Sequence, residues 1–199
     1  MFQGDGGSEN NYKPFVFDPA EIDYLIITHA HLDHIGRVPK LIKDGFKGKI
    51  ISTKPTHDIA NIMLLDSAKI LKEEYRVLRR KAKRRGDEKN IKEPLYTEGH
   101  VKEVFSKKWQ ILEYFQKHKL PKHIHVTLGN AGHIMGSAFV MIDYVEEKTT
   151  KRVVFSGDIG SPHRLIIDTL DKTEEADALF IESTYGDRNH RPLKESVDE

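Results

Sequence analysis

THAHLDHIGR, residues 28–37, places three histidines and one aspartate within six consecutive positions. Its first residue, Thr28, is also the last residue of YLIIT, residues 24–28. This apolar run predicts a buried strand. Imidazole nitrogens and carboxylate oxygens are ligands for zinc and similar divalent ions. The chain has no cysteine, so any metal site must use nitrogen and oxygen ligands. The stretch therefore predicts a metal site at the carboxyl end of a strand.

The spacing of these residues predicts two metal ions. In an extended segment alternate side chains point the same way, so His29 and His31 are suited to one metal. Asp33 and His34 follow after a turn and are suited to a second metal nearby. A carboxylate that bridges the two ions would complete an arrangement that activates water.

Three further apolar runs also end in polar residues. The run 123–128 is followed by Asn130 and His133, the run 151–156 by Asp158, and the run from residue 178 by Glu182. Open α/β sheets place their sites where the carboxyl ends of strands meet. His133 is therefore the candidate third ligand of the first metal, and Asp158 is the candidate bridge.

Hydrophobic periodicity and helix start and stop signals predict an α/β fold without internal repeats. The predicted helices begin at about Ile35, at Pro55 and behind Thr97, and the second of them runs to Gly86. The predicted strands are 24–28, 49–53, 123–128, 138–145, 151–156 and 178–182.

Four motifs in this order resemble the metallo-β-lactamase superfamily and, within it, the β-CASP branch of RNA-processing nucleases. They are HAHLDH at 29–34, GHIMGS at 132–137, FSGD at 155–158 and ESTYGDR at 182–188. The first motif is specific to the superfamily. The fourth narrows the resemblance to the branch, which includes ribonuclease J and the nucleases that cleave messenger-RNA 3′ ends. The resemblance implies an α/β fold, the metallo-β-lactamase αββα sandwich.

The resemblance also implies a role for each motif residue. It implies two zinc ions, with manganese as the alternative metal, and an activated hydroxide that cleaves RNA phosphodiester bonds. The implied metal ligands are His29, His31 and His133 for the first ion, Asp33 and His34 for the second, and Asp158 as the bridge. Glu182 is implied to orient ligands or water beside the metals. Asp33, Asp158 and Glu182 are therefore the candidate catalytic residues.

The resemblance further implies a longer enzyme. The superfamily has opening strands with an Asp-x-Gly turn before the histidine motif, and the branch inserts a second domain, with two further histidines, after the position of Glu182. We therefore expect residues 1–182 to form a metallo-β-lactamase domain that is incomplete at both termini and carries a helical insertion at about 55–120. Residues 183–199 would lead into the inserted domain. Uncovered sheet edges would favour association.

A basic segment offers a candidate surface for RNA. The chain as a whole has 32 Lys and Arg against 31 Asp and Glu, but residues 69–92 hold eleven basic and four acidic residues. Such a run forms either a solvated helix face or a surface for a phosphate backbone. The candidate RNA contacts are Arg79, Arg80, Arg84 and Arg85, together with Ser137, for which packing of the turn is an equal alternative.

Other sequence features limit the kinds of binding partner and the cellular location. No apolar stretch reaches the length of a membrane span, and the first residues lack the regions of a signal peptide. We expect a cytoplasmic protein that binds RNA and does not bind a membrane. Whether it forms a homo-oligomer stays open. Two other functions also stay open. One is an ester or thioester hydrolase with the same dinuclear site, and the other is an inactive fragment that binds RNA or a partner.

We predict that the 199-residue chain alone binds metal weakly and has little or no nuclease activity. The reason is that the resemblance assigns the general acid and the last ligand of the second metal to the inserted domain. RNA cleavage by the purified chain with zinc restored is the measurement. Full activity would contradict the prediction.

Overall fold

The computed structural model describes residues 1–2, 7–87, 91–107, 109–161 and 166–188. The chain divides into two compact units, Met1–Ile111 and Leu112–Glu199. The first unit contains a three-stranded sheet and the second a five-stranded sheet, with helices in the first unit. This combination is the α/β class that the sequence predicts.

A small parallel sheet forms the centre of the first unit. Its strands β1 (Tyr24–Ile26), β2 (Lys49–Ser52) and β3 (Trp109–Ile111) pair in the order β1-β2-β3. Two short helices, α2 (Leu32–Ile35) and α3 (Val38–Lys43), connect β1 to β2. The predicted strand–loop–helix–strand unit is thereby confirmed.

The longest element of the first unit is a helix, α4 (Lys54–Arg85). The Thr53 side chain accepts a hydrogen bond from the Thr56 amide at its start, and Gly86 ends it with a left-handed φ of 71°. These signals are local, and the predicted bounds of this helix agree with the structure to within one residue. Its buried residues, which include Ala60, Leu64 and Ala68, all lie in its first half.

The remaining helices of the first unit are short. They are α1 (Gly7–Tyr12), a 3₁₀ turn at Pro19–Glu21 and α5 (Glu98–Ser106). The predicted helix behind Thr97 is thus confirmed as α5. Within the described residues, no helix combines the length and the hydropathy that a membrane span needs.

The second unit is built on a mostly antiparallel sheet. Its strands are β4 (His118–Lys119), β5 (His125–Asn130), β6 (Ala138–Glu146), β7 (Thr149–Phe155) and β8 (Ala178–Phe180), paired in that order. Only β8 runs parallel to its neighbour, β7. Glu147 and Lys148 connect β6 to β7 with φ of 47° and 69°, the backbone of a tight hairpin turn.

Three details of the chain between the helices and β5 differ from the sequence predictions. Strand β3 was not predicted, because WQI carries only one aliphatic residue and its partner β2 lies far away along the chain. His123 has a φ of 57° and lies outside β5, which begins at His125. The sequence favours a core position for Phe115, with stacking on bases as the alternative. Phe115 is 52% exposed, so the core prediction was wrong.

Strand β8 forms an apolar edge of the second sheet. Leu179, Phe180 and the following Ile181 are all more than half exposed, and the Phe180 ring stacks on Phe155 at 4.8 Å between centroids. An exposed apolar edge strand favours association with another strand or surface.

A buried carboxylate joins β6 to β7. Arg152 donates from Nε to Oδ1 of Asp143 at 2.7 Å and from Nη2 to Oδ2 at 3.2 Å, and Lys117 Nζ lies 3.1 Å from Oδ2. The hydrogen bond from Arg152 holds the pKa of Asp143 below its usual value, although burial acts in the opposite direction. The ion pair therefore stabilises the sheet as long as Asp143 is ionised.

We predict that Asp143→Asn lowers the free energy of unfolding at neutral pH by about 2 kcal/mol, because Arg152 and Lys117 lose a buried charged partner and Arg152 keeps only the exposed Glu174. The depressed folded-state pKa means that the contribution is complete above the unfolded-state value of about 4 and is lost as pH falls through the folded-state value. The variant should therefore lose less stability than the parent chain on acidification below about pH 4. Urea unfolding at several pH values measures both effects. Asp58→Asn, which breaks an exposed pair with Lys54 on α4, is the control and should change little.

Candidate metal centre

The motif HAHLDH adopts two backbone conformations that separate its ligands into two pairs. Strand β1 ends at Ile26, although the Ile27 amide still donates to Ile51 O at 2.9 Å. His31, with φ −67° and ψ 146°, is extended and is the residue that caps the start of α2. Asp33 and His34 then lie in the helical turn. This is the local geometry that the sequence predicts.

The distances within each pair suit metal ligands. His29 Nε2 lies 3.1 Å from His31 Nδ1, and Asp33 Oδ2 lies 3.4 Å from His34 Nε2. Two ligand atoms at about 2.0–2.1 Å from a tetrahedral zinc ion are about 3.3 Å apart. The rings of His29 and His34 are also close, with centroids 4.0 Å apart. The first unit thus brings four predicted ligands together.

His29 is the most deeply placed of these residues. Its side chain is fully buried, and Thr28 Oγ1 lies 3.2 Å from its Nδ1. A proton on Nδ1 that is donated to this hydroxyl leaves the lone pair on Nε2, the nitrogen that faces His31. Thr28 is therefore an orienting partner that the sequence patterns did not single out.

Arg37 is a second residue that the sequence patterns missed. It lines a cleft of about 450 Å³ together with Asp33 and His34. Its guanidinium group lies 4.3 Å from the centre of the Phe15 ring, and Nη2 donates to Lys13 O. Within the described residues its buried Nε has no hydrogen-bond partner. A signal was present in the sequence, since Arg37 follows Asp33 by one helical turn.

The second unit holds His133 in a tight turn between β5 and β6. Gly132 and Gly136 flank it with φ of 65° and 79°, a conformation that glycine adopts without strain. The Ser137 hydroxyl accepts hydrogen bonds from the amides of His133 at 3.0 Å and Ile134 at 3.2 Å. Ser137 is fully buried. These contacts favour packing of the turn, the alternative to a phosphate contact that the sequence left open.

Further contacts brace this turn from both sides. Asn130 accepts from the Gly132 amide at 2.9 Å and donates to Thr169 O at 3.0 Å. The Gly160 amide donates to Ala131 O at 2.9 Å, and a side chain at Gly160 would overlap the Gly132 carbonyl group. The position of His133 is therefore set by backbone contacts on three segments.

Tyr114 contributes one more contact to the turn. Its hydroxyl donates to Ser137 O at 2.9 Å. Burial, together with the charges of Asp171 and Asp168, raises the pKa of Tyr114 to about 12. The hydroxyl therefore stays protonated and remains a donor across the ordinary pH range.

Asp158 follows β7 and lies beside His133. Gly157 turns the chain with a φ of 57°, and Asp158 Oδ2 lies 3.5 Å from His133 Nε2. This separation also matches that of two ligands on one tetrahedral ion, about 3.3 Å. The second unit thus brings its two predicted ligands together.

Glu182 acts on the turn that carries Asp158. Its Oε1 accepts from the Ile159 amide at 2.6 Å, and its own amide donates to Ser156 Oγ at 3.1 Å. Burial raises the pKa of Glu182, but hydrogen bonds from the Ile159 amide and from Thr184 outweigh this, so the pKa lies below its usual value. An ionised Glu182 that fixes the backbone next to Asp158 suits the orienting role implied for it.

The donor chemistry fits a divalent ion. The first unit offers three imidazoles and a carboxylate, and the second offers one imidazole and one carboxylate, each at ligand-like separations from its neighbour. Nitrogen and oxygen donors of this kind are suited to zinc and to related divalent metals.

Similarity to known proteins assigns the family. The family described as "Metallo-beta-lactamase superfamily" matches residues 5–196, which is nearly the whole chain. The chain belongs to the metallo-β-lactamase superfamily. The metallo-β-lactamase fold that the motifs predict is thereby confirmed.

Two relatives of the chain have names that refer to RNA or to transcription. Ribonuclease TTHA0252 of Thermus thermophilus is 36% identical over the whole chain, which covers 40% of that protein. Transcription termination factor FttA of Methanosarcina mazei is 32% identical over 92% of the chain and 27% of its own length. A solved B3 metallo-β-lactamase with an active-site glutamic acid is 15% identical, with a TM-score of 0.42 over 74% of this chain and 47% of that chain. The chain therefore spans less than half the length of these proteins.

We predict that Ser137→Ala lowers the affinity for zinc by about 10-fold or more, because two part-buried amides lose their acceptor and the His133 turn loosens. Competition with a chelator measures the affinity. Ser106→Ala, which removes an exposed hydroxyl at the end of α5, is the matched control and should leave it unchanged. If zinc affinity stays constant while RNA binding weakens, the phosphate alternative is correct instead.

Proposed function

We propose that the chain is the metal-binding part of an RNA phosphodiester hydrolase of the β-CASP branch. In this proposal His29, His31 and His133 bind one zinc ion, Asp33 and His34 bind a second, and Asp158 bridges them. The observation that carries it is the set of donor pairs at 3.1, 3.4 and 3.5 Å on motifs of this superfamily. Residues 1–182 would then belong to the metallo-β-lactamase domain, and a cytoplasmic location accords with an RNA substrate.

The chain's own residues have defined tasks in this proposal. When bound, the zinc ions supply an activated water and withdraw charge from the phosphate oxygens. Thr28 keeps the Nε2 lone pair of His29 directed at His31, and Ser137 keeps the His133 turn closed. Glu182 holds the Ile159 amide and with it the turn that presents Asp158. Arg37 places a positive charge in the cleft that Asp33 and His34 line, where a phosphate group would be attracted.

RNA is the proposed substrate on two grounds. Relatives that cover most of the chain carry the names of a ribonuclease and of a transcription termination factor. The fourth motif, ESTYGDR at 182–188, is the one that separates the RNA-processing branch from other hydrolases in the resemblance. Manganese is the alternative metal for the same ligands.

We predict that His31→Ala removes bound zinc and abolishes any zinc-dependent RNA cleavage that the chain shows, because the first metal loses one of its ligands. Metal content by elemental analysis and cleavage of a labelled single-stranded RNA are the measurements. His123→Asn is the matched control, since His123 is exposed and asparagine tolerates its left-handed backbone.

Two results would contradict the proposal. One is cleavage that persists at the same rate in His31→Ala or in the presence of a chelator. The other is hydrolysis of a thioester by the zinc-loaded chain without any cleavage of RNA, which would assign the site to an ester or thioester hydrolase.

A further inference from the structure

The second half of α4 extends beyond the core of the first unit. None of the residues after Ala68 in this helix is buried, and most of the residues from Lys69 to Arg85 are exposed. At a rise of about 1.5 Å per residue this part of the helix is about 25 Å long. It therefore presents a long surface to solvent.

The two sides of this helical segment differ in chemistry. At about 100° per residue, one side carries six cations, which we call the basic stripe. The basic stripe consists of Lys69, Lys72, Arg76, Arg79, Arg80 and Lys83. A second, apolar side, centred about 120° away, carries Leu71, Tyr75, Leu78 and Ala82. Six of the nine cations between Lys69 and Arg85 therefore share one side of the helix.

The apolar side faces a cleft of the first unit. Leu78 and Ala82 line a cleft together with Tyr12 and Ile91. Arg85 lines the same cleft, near Asp87. Arg85 thus lies away from the basic stripe, and among the four arginines predicted to contact RNA only Arg79 and Arg80 lie within it.

Few carboxylates neutralise the basic stripe. Glu73 Oε2 lies 3.1 Å from Arg76 Nη1, and Glu98 Oε1 lies 3.7 Å from Lys72 Nζ. For Arg79, Arg80 and Lys83, no acidic residue in the described part of the chain comes within ion-pair distance. Like charges four residues apart, such as Arg79 and Lys83, destabilise a helix. Of the stripe residues only Lys83 lies in the last turn, where the helix dipole favours a cation, so helix stability does not explain the rest of the stripe.

We infer that the basic stripe binds the phosphate backbone of RNA, independently of base sequence and outside the metal centre. This inference rests on the proposed RNA hydrolase function. Guanidinium and ammonium groups on one side of a helix match a polyanion, and such contacts supply most sequence-independent affinity. From Lys69 to Lys83 the stripe is about 21 Å long, which is enough to follow several nucleotides. The stripe therefore adds affinity for long RNA and little for fragments that occupy only the metal centre.

The test compares two triple variants with the same loss of charge. Arg79→Gln, Arg80→Gln and Lys83→Gln neutralise the stripe, and Lys43→Gln, Lys47→Gln and Lys49→Gln neutralise exposed lysines elsewhere in the first unit. Binding of a single-stranded RNA of about 20 nucleotides is measured against salt concentration, with chelator present so that no cleavage occurs. The stripe variant should reduce the slope of log K against log salt by about 2, since each phosphate contact on a single strand contributes about 0.7. The control variant should keep the parent slope.

Three outcomes would overturn the inference. They are an unchanged slope in the stripe variant, equal reductions in both variants, and binding of the parent chain to anionic phospholipid vesicles but not to RNA. Failure of the proposed function gives a different result. Binding is measured without cleavage, so a chain that has no hydrolase activity would still show the difference in slope between the two variants.

Discussion

The imidazole of His29 is fully buried, and both of its ring nitrogens require polar partners. Thr28 and His31 stand at those two nitrogens, so the ring has one orientation that satisfies both. A buried ring left without them would cost about 1–3 kcal/mol per unsatisfied group. The extended backbone of His31 accompanies the approach of its Nδ1 to His29 Nε2, and the helical turn that presents Asp33 and His34 begins immediately after it.

The second unit meets a related constraint by other means. His133 and Asp158 are half-buried. Hydrogen bonds hold the backbone beside them more than they hold the imidazole ring or the carboxylate. Ser137 closes one turn and Glu182 closes the other, each by accepting hydrogen bonds from main-chain amides. Glycines with left-handed backbones, Gly132 and Gly157, allow both turns to be tight. Ligand geometry in this unit thus depends on side chains that are not themselves ligands.

Local signals made much of this arrangement predictable. Each predicted ligand follows an apolar strand, and the bounds of α4 follow from a threonine cap and a terminal glycine. Contacts between distant segments were not predictable in this way. Strand β3 exists because β2 offers it a parallel partner, and Glu182 holds an amide that lies well before it in the chain. Arg85 lines a cleft together with Tyr12 and Ile91, and no periodicity within the helix reveals these neighbours.

The exposed second half of α4 links electrostatics to local order. With no buried residue after Ala68, its last turns are held mainly by their own backbone hydrogen bonds, and these open more easily than bonds under a packed core. Repulsion between neighbouring cations opposes the same bonds, whereas their place at the carboxyl end of the helix favours them. Neutralisation by salt or by a bound polyanion removes the repulsion. Amide hydrogen exchange in these turns should therefore slow as ionic strength rises. The helical order of this segment then depends on the ions around it as well as on its sequence.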